Sequence, residues 1–286
     1  MTSKIICVAD NHTLSEKTAF DAFKFQITDV RRSADGRAFF MHSPQPVKDV
    51  RAALVDHSFQ GDVLAFKTHA PLPKLLICDM DSTIIESETL DDLAAAFNLK
   101  DKIAAITERA MRGELDFSAA LDARVSMLAD LEEQAILDLL PELRISKGAQ
   151  ALVDTAKEYG ATCLLVSGGF RHVTGYVADK LGFDDHFGNE FIIEDGRLTG
   201  KVKQPIQDKN TKLRILNDFC DHLDIMHEEV MAIGDGANDI PMLQEAGFGI
   251  AYKAKPLVRQ AVPLQINHTD LATAKYLFEF TKTAKD

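Results

Sequence analysis

With 286 residues, 46% of them hydrophobic and 27% charged, the chain has the balance of a globular protein with room for one large or two modest units. Its net charge of −12 argues against nucleic acid or an anionic membrane as a partner, and an anionic substrate would need positive charge supplied locally. Cys7, Cys78, Cys163 and Cys220 show no paired spacing of a zinc site or disulfide framework. No apolar run is long enough for a bilayer span or a secretory leader, which leaves the cytoplasm as the expected location.

In chain order, residues 5–8 read as a strand, 15–25 as a helix, and 27–32 with 37–42 as a hairpin about Asp35-Gly36. A second helix is expected over 47–56 and a last strand over 63–67. This β-α-β-β-α-β order is the split arrangement of ferredoxin-like folds. Pro71-Leu72-Pro73 disfavours helix and central strand alike, so a boundary is placed there: a small α+β unit over 1–72 and a larger one over 73–286.

Beyond the prolines, apolar strands at 75–78, 161–166, 230–233 and 248–251, with a weaker one at 264–266, alternate with helical patterns. That rhythm predicts an α/β fold, a doubly wound parallel sheet covered by helices on both faces. Residues 91–143 are helical throughout and break the rhythm, which makes about 91–145 an inserted helical cap. A further hairpin is expected within 187–202, turning at Asp195-Gly196.

Open parallel sheets bind ligands beyond the carboxyl ends of their strands, and three strand ends here carry reactive groups. The first ends in Asp79-Met80-Asp81-Ser82-Thr83, where alternate side chains point the same way and two acids could converge on a cation or a shared proton. The second runs into Ser167-Gly168-Gly169 before a helix, offering a hydroxyl and free N–H groups to a phosphate. The third ends in Gly234-Asp235-Gly236-Ala237-Asn238-Asp239, an acidic loop suited to a hard cation such as Mg²⁺. Arg124 interrupts the stripe Phe117, Leu121, Leu128 on one helical face, and a guanidinium there needs an internal acid or a substrate carboxylate as partner. Lys212, by pattern alone, sits on the solvent face of an amphipathic helix over 208–219.

Together and in this order, these motifs resemble the haloacid dehalogenase superfamily of phosphatases, and within it the phosphoserine phosphatase family, from Leu75 to the last helix. The resemblance implies Mg²⁺-dependent hydrolysis of O-phospho-L-serine in serine biosynthesis, with Asp79 as nucleophile and Asp81 as acid and base. It implies a metal held by Asp79, Asp81, Asp235 and Asp239. Substrate would be bound by Glu88, Met111, Phe117, Arg124, Ser167, Gly168, Gly169, Lys212 and Asn238. The alternative is a phosphatase or phosphotransferase of the same superfamily acting on another small phosphorylated metabolite. The leading unit is similar to ACT domains, which leaves open an amino-acid effector, a homodimer contact or a purely structural role.

Overall fold

The computed structural model describes residues 2–9, 23–54, 59–111, 114–207 and 210–281, apart from the side chains of residues 110, 111 and 117. Four strands, β1 (Ser3–Val8), β2 (Thr28–Arg32), β3 (Ala38–Ser43) and β4 (Asp62–Lys67), form an antiparallel sheet in the order β2-β3-β1-β4. Period-two alternation gives this sheet two apolar faces. Ile5, Cys7, Phe39, Met41 and Ala65 pack on Val50 of helix Val47–Ala53, whereas Ile6, Val8, Phe40, Leu64 and Phe66 join the main core. The helix expected over 15–25 falls mainly outside the described residues, and residues 23–25 are not helical.

The second sheet contains β5 (Leu75–Cys78), β6 (Thr162–Phe170), β7 (Asp185–Asn189), β10 (Val230–Gly234), β11 (Phe248–Tyr252) and β12 (Leu264–Ile266). β8 (Phe191–Glu194) and β9 (Arg197–Val202) form a separate hairpin. The large sheet is parallel in the order β12-β11-β10-β5-β6-β7. β5 therefore sits where the winding reverses, and its carboxyl end opens into a crevice between β6 and β10. Leu76 and Cys78 face helices Ala149–Glu158 and Arg171–Leu181, while Leu75 and Ile77 face helices Thr211–Leu223 and Ile240–Glu245. Burial on both faces is why these strands read as continuous apolar runs.

Three expectations need correction. β6 does not stop at Val166 but continues through Ser167-Gly168-Gly169 to Phe170, with its pairing to β7 broken between Val166 and Phe170. Residues 185–189 form an edge strand of the sheet, hidden in the sequence because an edge position tolerates Asp, His, Gly and Asn. The helix expected over 208–219 is Thr211–Leu223, with 208–209 outside the described residues. Asp195 and Gly196 do make the hairpin turn, at φ +48° and +74°, as a two-residue turn requires.

Among the described residues, the insertion contains the helical segments Thr89–Ala96, Lys100–Met111, Phe117–Ser126, Glu133–Leu137 and the single turn Leu140–Glu142. Leu93, Leu121, Val125, Leu128 and Ile136 bury themselves against Phe191, Leu198 and Val202, so the β8–β9 hairpin completes the core of the helical insertion. Phe170 and Phe191 stack at 3.7 Å between ring centroids, tying that core to the end of β6. The chain enters and leaves the insertion side by side, at a bridge between Ile85 and Ile145. Among the described residues no helix is long and apolar enough to cross a membrane.

The leading sheet is joined to the rest by polar as well as apolar contacts. Lys4 Nζ donates to the Phe280 carbonyl at 2.6 Å, and Asp35 accepts from Tyr276 Oη at 2.7 Å. Buried Asp62 accepts from the N–H groups of Asn267, His268 and Thr269 and from Thr269 Oγ1 at 2.6 Å. Removing that acceptor strands the two buried donors of Thr269 and the partly buried N–H groups of Asn267 and His268. Asp62→Ala is expected to lower the unfolding free energy by about 3 kcal/mol, read as a fall in the urea midpoint; an unchanged midpoint would show that the clamp contributes nothing.

Candidate active site

Three strand ends converge on one point. At the end of β5, the Asp79 N–H donates to the Ile233 carbonyl at 2.9 Å, which continues the ladder and fixes the side chain at the sheet's edge. The chain then turns sharply, with Asp81 extended and Ser82 at φ +55°. Asp81 is held at both oxygens. Oδ1 accepts from Thr89 N at 2.8 Å and Thr89 Oγ1 at 2.5 Å, and Oδ2 accepts from Ser167 Oγ at 2.7 Å. Ser167 Oγ in turn accepts from Gly169 N at 2.8 Å, while Asn189 Nδ2 donates to the Gly168 carbonyl at 2.8 Å and braces the strand extension. A Cβ at Gly169 would lie 3.0 Å from Ser167 Oγ and 3.2 Å from Asp81 Oδ2, so the glycine keeps the space open.

Beyond β10, Asp239 folds back on its own loop, and Oδ2 accepts from Asp235 N at 3.1 Å and Gly236 N at 2.9 Å. A Cβ on Gly234 would come within 2.5 Å of that carboxylate, a close approach only glycine permits. Lys212, in the first turn of helix Thr211–Leu223, is buried rather than solvent-facing. Its ammonium bonds Asp79 Oδ1 and donates to Asp239 Oδ1 at 2.5 Å.

The electrostatics follow from burial. Desolvation, then repulsion from Asp239, pushes the Asp79 carboxyl well above the ordinary carboxylate range against the pull of Lys212. Burial alone would lower the Lys212 ammonium, yet Asp239 and Asp79 outweigh it and hold the group above the usual lysine value. Asp235 is raised by burial and by Asp239, with Lys255 and Lys212 opposing. Burial and mutual repulsion thus oppose ionisation of Asp79 and Asp235. Carboxylate oxygens of Asp79, Asp235 and Asp239 lie within 4.8 Å of one another. Three buried carboxylates facing one buried ammonium form an all-oxygen donor set short of positive charge, which fits a hard divalent cation.

These groups lie at one end of a cavity of about 270 Å³, whose lining includes Asp79, Asp81, Ser167, Gly168, Gly169, Asp235 and Asn238 from the sheet side. Glu88, Leu90, Leu121 and Arg124 come from the helical insertion and its leading edge. Burial pulls the Arg124 guanidinium down while Asp91 and Glu88 hold it up, and its Nε donates to the Ala120 carbonyl at 3.1 Å. Burial, then Asp81, raises the Glu88 carboxyl, which accepts from Ser82 Oγ at 2.9 Å. Asp81's carboxylate is not part of the Asp79–Asp235–Asp239 group. Lys212 and Asp239 sit beneath the cavity, and the side chains of Met111 and Phe117 lie outside the described residues. Thr89 and Lys255 were not singled out by the sequence. Only Lys255 had a signal, a basic residue just past a strand end and before Pro256.

Comparison with known proteins places this architecture. The haloacid dehalogenase-like hydrolase profile matches residues 76–244, more than half the chain, and the chain belongs to that family. Within it, the chain is 42% identical over 199 residues to the phosphoserine phosphatase of Lactococcus lactis, covering 70% of this chain and 92% of that one. It is 40% identical over 220 residues to the phosphoserine phosphatase of Streptomyces coelicolor, covering 77% of this chain and 54% of the relative. Three of the curated relatives are matched over only 54%, 55% and 58% of their length, so the chain spans little more than half of each. The crystal structure of a probable phosphoserine phosphatase from Vibrio cholerae superposes with a TM-score of 0.81 at 30% identity, over 98% of this chain and 87% of that one.

The raised Asp235 carboxyl has a consequence for stability. Ionising a group whose folded pKa lies above the unfolded value disfavours the folded state. That penalty is absent below about pH 4, where Asp235 is protonated in both states, and grows as pH rises through the unfolded value. In chelator, Asp235→Asn is expected to melt close to wild type at acid pH and higher than wild type at neutral pH. A divalent cation should raise the wild-type midpoint more than the variant's. Equal midpoints at neutral pH in chelator would contradict the assignment.

Proposed function

We propose that the chain is a cytoplasmic, magnesium-dependent phosphatase that hydrolyses O-phospho-L-serine to L-serine and phosphate through a phosphoaspartate on Asp79. This would be the last step of L-serine biosynthesis. The observation that carries the reading is a single cavity lined both by a buried carboxylate at a strand end and by Arg124 with Glu88. A phosphate, a carboxylate and an ammonium would each meet a complementary group there. The names of the relatives support the same substrate.

A carboxylate brought to about 4 Å from a phosphate dianion meets repulsion of roughly 8 kcal/mol at an effective dielectric near 20. Asp79, Asp235, Asp239 and the Asp81 carbonyl would hold Mg²⁺, which when bound supplies positive charge to the nucleophile and the phosphoryl oxygens. Lys212 adds a fixed ammonium at the same place. Asp79 forms the new bond to phosphorus as the bond to the seryl oxygen breaks, and Asp81 delivers a proton to that oxygen. The same Asp81 carboxylate then takes a proton from the water that cleaves the acyl phosphate. Ser167 Oγ and the Gly168 N–H hold the non-bridging oxygens, Gly169 leaves them room, and Asn238 orients the phosphoryl group. Arg124 grips the substrate carboxylate in bidentate fashion, Glu88 accepts from its ammonium, and Met111 with Phe117 supplies an apolar wall. In this reading residues 91–145 act as a cap that closes on the core of 73–286, and residues 1–72 form an ACT-like unit.

Two measurements test this. Arg124→Ala should cut kcat/KM for phosphoserine on the order of 100-fold while changing phosphoethanolamine, which lacks the carboxylate, far less; equal losses would eliminate the clamp. Chelation should silence turnover and Mg²⁺ restore it, with phosphate released in equal amount to serine. A fall in phosphate yield when another alcohol is added would favour phosphoryl transfer over hydrolysis.

A further inference from the structure

The cavity poses an electrostatic problem that the residues named so far leave unsolved. Among the described residues its lining carries four acids, Asp79, Asp81, Glu88 and Asp235, against two cations, Arg124 and Lys255, in a chain of net charge −12. Lys212 does not help an approaching anion, because it is buried and both of its contacts go to Asp79 and Asp239. Arg124 is partly buried, with its Nε committed to the Ala120 carbonyl. Lys255 differs from both. Its side chain is 68% exposed, and its ammonium stands 3.9 Å from Asp235 Oδ2, beyond hydrogen-bond reach.

The position of Lys255 is nevertheless fixed. Its backbone N–H donates to the Asp235 carbonyl at 3.1 Å, and it caps helix Pro256–Ala261. The backbone is thus anchored to the acidic loop while the ammonium stays exposed to solvent. Its charge reaches both sides of the cavity, opposing the rise of the Asp235 carboxyl on the sheet side and of the Glu88 carboxyl on the insertion side. A loosely held cation bordering a mostly acidic cleft is suited to capturing an anion from solution.

We propose that Lys255 is a substrate-recognition residue, the cation that first receives the phosphoryl group of an incoming phosphomonoester and passes it to Ser167 and Gly168. The inference rests on the phosphatase reading. It assigns Lys255 a role in capture and binding, distinct from the chemical step at Asp79. Because the contact is to an exposed ammonium, its contribution is electrostatic and weakens with salt.

Lys255→Gln and Lys255→Arg decide the matter, since both keep the backbone bond to Asp235. With phosphoserine at low ionic strength, Lys255→Gln should lower kcat/KM about tenfold, mainly through KM. It should also flatten the salt dependence of kcat/KM, and Lys255→Arg should restore most of both. Titration with inorganic phosphate, a probe that needs no turnover, should show a similar weakening in the glutamine variant. Wild-type salt dependence and phosphate affinity in Lys255→Gln would overturn the proposal. So would a loss confined to kcat that arginine does not rescue, which would mark Lys255 as a support for Asp235. If the wild-type protein binds phosphate but hydrolyses no phosphomonoester, the phosphatase reading fails, and the ratio of phosphate affinities still decides the role of Lys255.

Discussion

The contact between Lys212 and the two carboxylates of Asp79 and Asp239 is the constraint on which the site depends. Ion pairs taken out of water are costly unless geometry and further hydrogen bonds compensate. Here one ammonium faces three nearby acids, so the compensation is incomplete and Asp79 and Asp235 resist ionisation. A folded protein tolerates such a cluster only when the backbone over-determines it. The β5–β10 ladder fixes Asp79, the N–H groups of Asp235 and Gly236 fix Asp239, and the first turn of a long amphipathic helix fixes Lys212. The shortage of positive charge in this cluster is the property that suits it to a hard cation.

A second coupling links chemistry to the helical insertion. Asp81 takes two hydrogen bonds from Thr89, the first residue of the first helix of the insertion, and one from Ser167 at the end of β6. The Asp81 carboxylate, the proposed acid–base group, is therefore aimed jointly by the sheet and by the insertion. A displacement of helix Thr89–Ala96 would move two of the hydrogen-bond donors that hold Asp81, which in the proposed mechanism would couple cap closure to proton transfer. The stacked Phe170–Phe191 pair likewise joins the end of β6, with Ser167-Gly168-Gly169, to the core of the insertion.

The sequence revealed whatever depends on burial alone. Buried parallel strands read as apolar runs, and the acids after 75–78 and 230–233 marked the edge where those strands stop. Arg124 was visible because a guanidinium in an apolar stripe violates the helical pattern. Lys212 was misread from pattern because helical periodicity reports which face is buried along the helix, while its first turn abuts the end of the sheet, a tertiary fact. Thr89 acts through two hydrogen bonds to Asp81 and Lys255 through a charge near Asp235, neither of which leaves a periodic trace. The edge strand at 185–189 and the continuation of β6 to Phe170 escaped for a related reason: edges and glycine loops carry no apolar signature. The partnership of hairpin β8–β9 with the insertion required knowing where two distant segments meet.

The measurement closest to the central claim is rapid acid quenching of the enzyme during turnover of phosphorus-labelled phosphoserine, followed by peptide mapping. The account predicts an acid-stable, base-labile label on the peptide carrying Asp79, appearing and decaying at rates compatible with turnover. Label on any other residue, or turnover by direct attack of water with no labelled protein, would contradict it.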